Sequence, residues 1–336
     1  MQHRQPCLSV ANESPGLWAI SAPRLPPIRS LLTLRLVIIA KAHSFALTTS
    51  PPALICMPDQ HYENFPVASP LLPREMRAPV RVLYAFARSA DDLADEGHAT
   101  PEERIAALDA YERELDLIDA GQNPSSPLFH QLSAALRERR IGTALLRDLL
   151  SAFKQDVRQT RYATFAVLLD YCRRSANPVG RLMLALAGQT RESSLSMSDA
   201  ICSALQIINF LQDVAIDWEK SRVYLPQEDM DRFGVTEQQI ANGEIDERWH
   251  ALMQFEIDRA REMMCSGAPL ALAVGGRLGW ELRLVVQGGL RILEKIEAAG
   301  HDVFRRRPTL HTADWLLMIW RAWSQPVPAQ RRYSAR

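Results

Sequence analysis

Two clusters of acidic side chains are the residues of this sequence best suited to chemistry. The first runs Arg88-Ser89-Ala90-Asp91-Asp92-Leu93-Ala94-Asp95-Glu96, the second Asn209-Phe210-Leu211-Gln212-Asp213-Val214-Ala215-Ile216-Asp217. Asp91 and Asp95 stand four residues apart, as do Asp213 and Asp217, so on a helix each pair shares a face. Like charges at that spacing cost an isolated helix about 0.2–0.5 kcal/mol. Asp also forms helices less readily than Glu. Asp95→Asn and Asp217→Asn should therefore relieve repulsion and leave the fold intact. The second pair is the sharper anomaly. Ile207, Ile208, Phe210, Leu211, Val214, Ile216 and Trp218 surround it, a pattern apolar nearly all round that predicts a largely buried helix. Buried carboxylates must be paired, protonated or bound to a cation. Spacing leaves three readings open: a solvated acidic face, structural ion pairs with Arg88 and Arg222, or a two-sided site whose oxygen ligands hold Mg²⁺ against phosphate.

The elements that carry these pairs are legible from periodicity. Residues 73–94 place Met76, Val80, Leu83, Ala87 and Ala90 at three- and four-residue steps, one face of a helix. Thr100-Pro101-Glu102-Glu103 reads as an N-cap, a first-turn proline and acids near the positive end of the helix dipole, opening a helix that Gly121 stops. Helical patterns recur near 127–139, 143–157, 164–188, 198–218, 247–265, 270–299 and 312–323, and alternating β-branched runs are nearly absent. Asn177-Pro178 predicts a kink in the helix over 164–188. Polar links, such as 121–127 and 232–243, separate the helices. One all-α domain over 58–325, with a flexible tail at 326–336, is the economical reading.

Composition agrees. The 336 residues are 47% hydrophobic and 23% charged, enough apolar side chain for a large core. Lys and Arg number 39, as do Asp and Glu, and a balance of zero argues against a nucleic-acid partner held by its phosphates. Five scattered Cys form no metal or disulfide pattern and suit a reducing cytoplasm. No run of about eighteen uncharged apolar residues stands out as a membrane span. Residues 1–57 differ from the rest: five basic residues against one acid, and prolines that break any long element. They read as a disordered extension or a mis-assigned start, with Met57 the alternative one.

Three segments together resemble the squalene/phytoene synthase family. They are Tyr84 through Asp95, Tyr171-Cys172-Arg173-Arg174-Ser175-Ala176-Asn177-Pro178-Val179-Gly180, and Gln206 through Asp217, the last running on into Arg222-Val223-Tyr224-Leu225-Pro226. The resemblance spans about residues 60–323. It implies an all-α isoprenoid-synthase helical bundle around a central cavity, with Mg²⁺ bridging a lipid diphosphate substrate to both acidic motifs. Asp91, Asp95, Asp213 and Asp217 would be the metal ligands, with Asp92 and Asn209 as further members of the shell. Arg88 and Arg222 would donate to diphosphate oxygens, Asn209 would lie beside them, and Tyr224 would order the loop above. Tyr84 and Tyr171 fall on motif positions lining the cavity. Phe65, Phe86 and Phe210 are further candidates to face a carbocation, core packing being the other reading. His61 is a candidate at the cavity mouth.

Within the family, His61-Tyr62-Glu63-Asn64-Phe65-Pro66 and Asn209-Phe210-Leu211-Gln212-Asp213 resemble the bacterial hydroxysqualene synthases of hopanoid biosynthesis. Relatives that perform the first condensation usually have Arg where this chain has Gln212, and Glu where it has Ile216. Gln212 is the candidate polar group beside the diphosphate or an attacking water. The resemblance implies no NADPH. Gly275-Gly276 and Gly288-Gly289 lie in helical pattern without a preceding strand and make no dinucleotide fingerprint. Rival readings are an NADPH-using squalene synthase, a presqualene diphosphate synthase, and a non-catalytic helical partner protein. Other enzymes of the hopanoid pathway are candidate partners. Trp315, Trp320 and Trp323, with Arg305–Arg307 nearby, are candidates for peripheral contact at the inner face of the membrane, although core packing of a final helix accounts for them more simply.

Overall fold

The structure, a computed structural model, describes residues 72–325 and residue 327. The head over 1–57, His61, Phe65 and the tail lie outside the described residues, apart from Val327. Among the described residues the fold is all helical. Its one β-type pairing is an isolated parallel bridge between Arg161 and Val223.

The N-terminal part comprises α1 (Arg74–Asp95), α2 (Pro101–Asp119), α3 (Pro127–Arg139) and α4 (Ala144–Asp156). The expected capping box closes on α2: Thr100 accepts from the Glu103 backbone while the Glu103 side chain accepts from the Thr100 amide. Next come α5 (Phe165–Ser175) and α6 (Asn177–Leu186), which meet at Ala176 with Pro178 in the first turn of α6, the break that Asn177-Pro178 predicts. The long α7 (Glu192–Gln212) ends at Asp213, and the short α8 (Val214–Glu219) follows.

Two elements depart from expectation. The link expected at 232–243 contains α10 (Glu237–Asn242), preceded by α9 (Gln227–Phe233); these turns are too short to show a helical period. The single helix expected over 270–299 is α12 (Leu270–Val274) and α13 (Gly276–Ala298), parted at Gly275, whose φ of 64° suits a residue without a Cβ. The chain is completed by α11 (Glu247–Gly267) between α10 and α12, and by α14 (Thr312–Ser324).

Two apolar cores hold these helices. One joins α1, α2, α3 and α4 through Leu83, Phe86, Leu108, Leu132 and Leu146. The other centres on α7, α11 and α13 through Ile201, Ile208, Trp249, Met264 and Leu293. Close approach is built into its seams. A Cβ on Gly267 would stand 2.5 Å from the Met197 carbonyl oxygen, and one on Gly289 would stand 2.7 Å from Met264 Cε. Gly289 thus serves helix packing. By length and composition α7 could cross a membrane, but most of it is buried inside the protein, where it packs against α6, α11 and α13.

Candidate active site

The first acid cluster occupies the last two turns of α1. Arg88, one turn earlier, reaches Asp91 at 3.0 Å, Asp92 at 2.5 Å and Glu96 at 2.9 Å. The second cluster spans the break between α7 and α8. The Asp217 amide still donates to the Asp213 carbonyl at 2.8 Å, so the two side chains keep helical spacing across the break. Burial here is less complete than expected: Ile216 is 42% exposed, because α8 lies at the edge of the core.

The turn after α8 joins the clusters. Amides of Lys220 and Arg222 both donate to the Asp217 carbonyl, at 3.1 and 2.8 Å, and Ser221 takes a left-handed φ of 59°. That turn aims Arg222 at α1, where it donates to Asp95 through two nitrogens at 3.0 and 2.6 Å. Lys220 lies 3.4 Å from the same carboxylate. Arg222 also donates to the Asp156 carbonyl at 3.2 Å, at the end of α4. The Val223 amide fastens the loop to Thr160 at 2.9 Å.

Behind Arg222 stands a group of rings. Phe210 and Tyr224 stack with centroids 3.8 Å apart and planes within 5°. Tyr162 lies 5.6 Å from Tyr224 and 5.4 Å from Tyr171, and Tyr171 lies 6.2 Å from Phe210. The Tyr171 hydroxyl donates to Asp156 at 2.8 Å. The other expected residues stand outside this group of rings. Phe86 is fully buried in the N-terminal core, its ring against Tyr111 and Phe129. Tyr84 is half-buried on α1, and Asn209 is half-buried one turn before Asp213. Gln212 is buried and donates to the Pro308 carbonyl, which ties the segment before α14 to the end of α7.

That segment delivers a residue to the site that neither acid motif announces. Arg307 grips Asp213 with two nitrogens, one of them at 2.9 Å. Sequence does not mark Asp156 or Tyr162 either: Asp156 has no other acid three or four residues away, and both lie outside the three segments that carry the family resemblance. The run Arg305–Arg307 was the only available signal for Arg307.

Electrostatics divide the carboxylates. Burial would raise the Asp95 pKa, but hydrogen bonds and charge from Arg222, with help from Lys220, hold it below the usual carboxylate range. Burial pushes Asp217 up to about 8, and the Asp213 charge adds to it against the pull of Arg222 and Lys220. Burial and then Asp95 push Asp91 up to about 6. Asp156 is pushed up to about 7, chiefly by burial, despite the Tyr171 hydroxyl and Arg222. One buried oxygen of Asp217 and one of Asp156 accept no hydrogen bond. The site therefore carries more negative charge than its own arginines neutralise, and all its donors are oxygen. Such a donor set fits Mg²⁺. Among the described residues no three His, Cys, Asp or Glu side chains converge to hold an ion alone; Mg²⁺ needs only one or two carboxylates and completes its shell from water and phosphate.

A sheetless bundle of this kind has the isoprenoid-synthase helical architecture. The sequence profile of the squalene/phytoene synthase family matches residues 59–314, and the chain belongs to that family. It is similar to 15-cis-phytoene synthase of Synechococcus elongatus, 31% identical over 265 residues that cover 75% of this chain and 85% of that one. It is equally similar to hydroxysqualene synthase of Rhodopseudomonas palustris, 32% identical over 267 residues, covering 79% and 89%. The crystal structure of squalene synthase HpnC from Alicyclobacillus acidocaldarius superposes with a TM-score of 0.68 at 37% identity, covering 72% of this chain and 90% of that one. The chemistry of the family, on prenyl diphosphates, is the chemistry of this chain's class.

Proposed function

We propose that this protein is a hydroxysqualene synthase, which ionises presqualene diphosphate and captures the resulting cation with water. The observation that carries the reading is the Arg222–Asp95 clamp, which brings the two acid clusters together beside the stacked rings of Phe210, Tyr224 and Tyr162 and the tilted ring of Tyr171. Asp91, Asp95, Asp213 and Asp217 would hold Mg²⁺, with Asp92 and Asn209 as further ligands. When bound, the ion supplies positive charge that neutralises a departing diphosphate. Arg88 and Arg222 donate to diphosphate oxygens, and Arg307 joins them. The ring faces stabilise positive charge on carbon and keep water scarce. Asp156 holds the Tyr171 hydroxyl, so that ring keeps one orientation toward the cation.

In this reaction the carbon–oxygen bond to diphosphate breaks and the cyclopropane opens. A water oxygen then bonds to carbon, and its proton leaves with pyrophosphate. No nicotinamide is consumed. Support for this branch of the family comes from Gln212 in place of Arg and from the likeness to relatives named hydroxysqualene synthase. A second reading, squalene or presqualene diphosphate synthase, is favoured by the comparable likeness to phytoene synthases and by the HpnC structure. We place the activity in the cytoplasm. The deciding experiment supplies purified protein with presqualene diphosphate or farnesyl diphosphate in isotopically labelled water, with and without NADPH. Labelled C30 alcohol formed from presqualene diphosphate, unaffected by NADPH, is expected. Squalene made only with NADPH would sink the hydroxysqualene assignment and leave the family intact.

A further inference from the structure

Six large apolar side chains are conspicuously exposed among the described residues, and three of them share one face of α14. Leu316, Trp320 and Trp323 are 70%, 56% and 64% exposed, and their spacing of four and three residues sets them in one stripe. This overturns the core-packing expectation for two of the three tryptophans; Trp315 alone packs against the core. The opposite face, with Met318 and Ala322, is buried.

No charge interrupts the stripe. The two charged side chains of α14 are both engaged within the protein: Asp314 is buried and bound by Arg291 and Lys295 at 2.7 Å, and Arg321 reaches Glu294 at 2.6 Å. An outward face of Leu and Trp without Lys or Glu is uncommon on a helix that meets only water. The sequence on either side is basic. Arg305, which pairs with Asp302 at 3.0 Å, and Arg306 are exposed in the segment leading into α14. The chain after Gln325 carries Arg331, Arg332 and Arg336 and no acid. Beside the end of α14, Arg283 donates to the Ala322 carbonyl at 3.4 Å and lies 5.1 Å from the Trp280 ring.

We propose that the outward face of α14 docks on an anionic lipid surface, its Leu and Trp side chains entering the interface while the flanking arginines meet lipid phosphates. Trp suits that depth because its ring is apolar and its N–H still reaches a polar headgroup. The thirteen residues of α14 extend about 20 Å, short of the roughly 30 Å apolar thickness of a bilayer, so the helix lies on the membrane and does not cross it. Apolar contact combined with basic charge is the usual pair of signals for peripheral attachment. The inference is independent of the reaction, because docking is read without substrate.

The test uses the full chain and vesicles of phosphatidylcholine, alone or mixed with phosphatidylglycerol. The protein should sediment with the mixed vesicles, less so at high salt, and Trp320→Glu with Trp323→Glu should weaken binding about tenfold or more. Replacing Arg305 and Arg306 by Gln should weaken the preference for phosphatidylglycerol. Brominated phosphatidylcholine should quench the tryptophan fluorescence of the unaltered protein, a readout that needs no variant to fold. Absence of quenching, or unchanged binding by the tryptophan pair variant, overturns the proposal. So does a dimer that the pair variant dissociates without affecting vesicle binding, since a second copy would then own the face.

Discussion

Arg222 holds Asp95 by both ends of its guanidinium, although 127 positions separate them in the chain. Both side chains are mostly buried, and the pair is reinforced by Lys220. The relationship changes what substitution at the first acid cluster should do. Repulsion between Asp91 and Asp95 suggests that Asp95→Asn keeps or raises stability; the ion pair reverses that, because it leaves Arg222 without its main counter-charge. We expect Asp95→Asn to destabilise the protein by about 1–3 kcal/mol and to cut turnover by about a hundredfold or more. Urea unfolding and steady-state product release check the two parts separately.

Asp217→Asn should do the opposite to stability and the same to activity. In the folded protein the Asp217 carboxyl titrates at about 8, against an ordinary 3.8. The folded state then binds more protons than the unfolded state between those values, so stability falls as pH rises through the window. The variant removes that penalty. Its gain in melting temperature should be largest above about pH 8 and absent below the ordinary value, in protein stripped of Mg²⁺ by EDTA. A gain that does not vary with pH would show that another contact is responsible.

Tyr171→Phe keeps the ring and removes the hydroxyl that Asp156 accepts from. Asp156 already has one buried oxygen without a partner. Loss of the other bond should cost about 1–3 kcal/mol. The variant should also lower turnover through a looser ring, and single-turnover rates read that effect apart from substrate affinity.

Gln212→Arg exchanges a buried amide bound to the Pro308 carbonyl for a longer cation. The segment from Pro308 back to Arg307 should loosen, and with it the Arg307 grip on Asp213. Faster amide exchange over residues 303–311 is expected, together with product shifting away from the alcohol. Unchanged exchange with a changed product would instead place the effect at Gln212 itself.

A chain beginning at Met57 should fold and turn over like the full chain. The family match starts at residue 59, and neither acid cluster nor any arginine of the site precedes it. Insolubility or inactivity of the shortened chain alone would make the head part of the enzyme.

Much of this molecule was readable in order along the chain. Helical period placed α1, α2, α3 and α4 within a residue or two, because each buries a stripe against neighbours, and Thr100 and Ser126 cap α2 and α3. Spacing also set Asp91 with Asp95 and Asp213 with Asp217 on common faces, since helix geometry is local. Periodicity could not see the breaks at Asp213 and Gly275, where the pattern continues though the backbone turns. Nor could it see α10, which is six residues long. Arg88 meets Asp91 and Asp92 at helical spacing, but the arginines that hold Asp95 and Asp213 were decided by tertiary structure alone. Arg222 reaches α1 because a tight turn follows Asp217 and is pinned to Thr160, and Arg307 reaches Asp213 because Gln212 ties down the segment beside Pro308. Those contacts cross 127 and 94 positions. A charge's nearest neighbours at such separations depend on how the helices pack, and packing sums many weak contacts that no local pattern records.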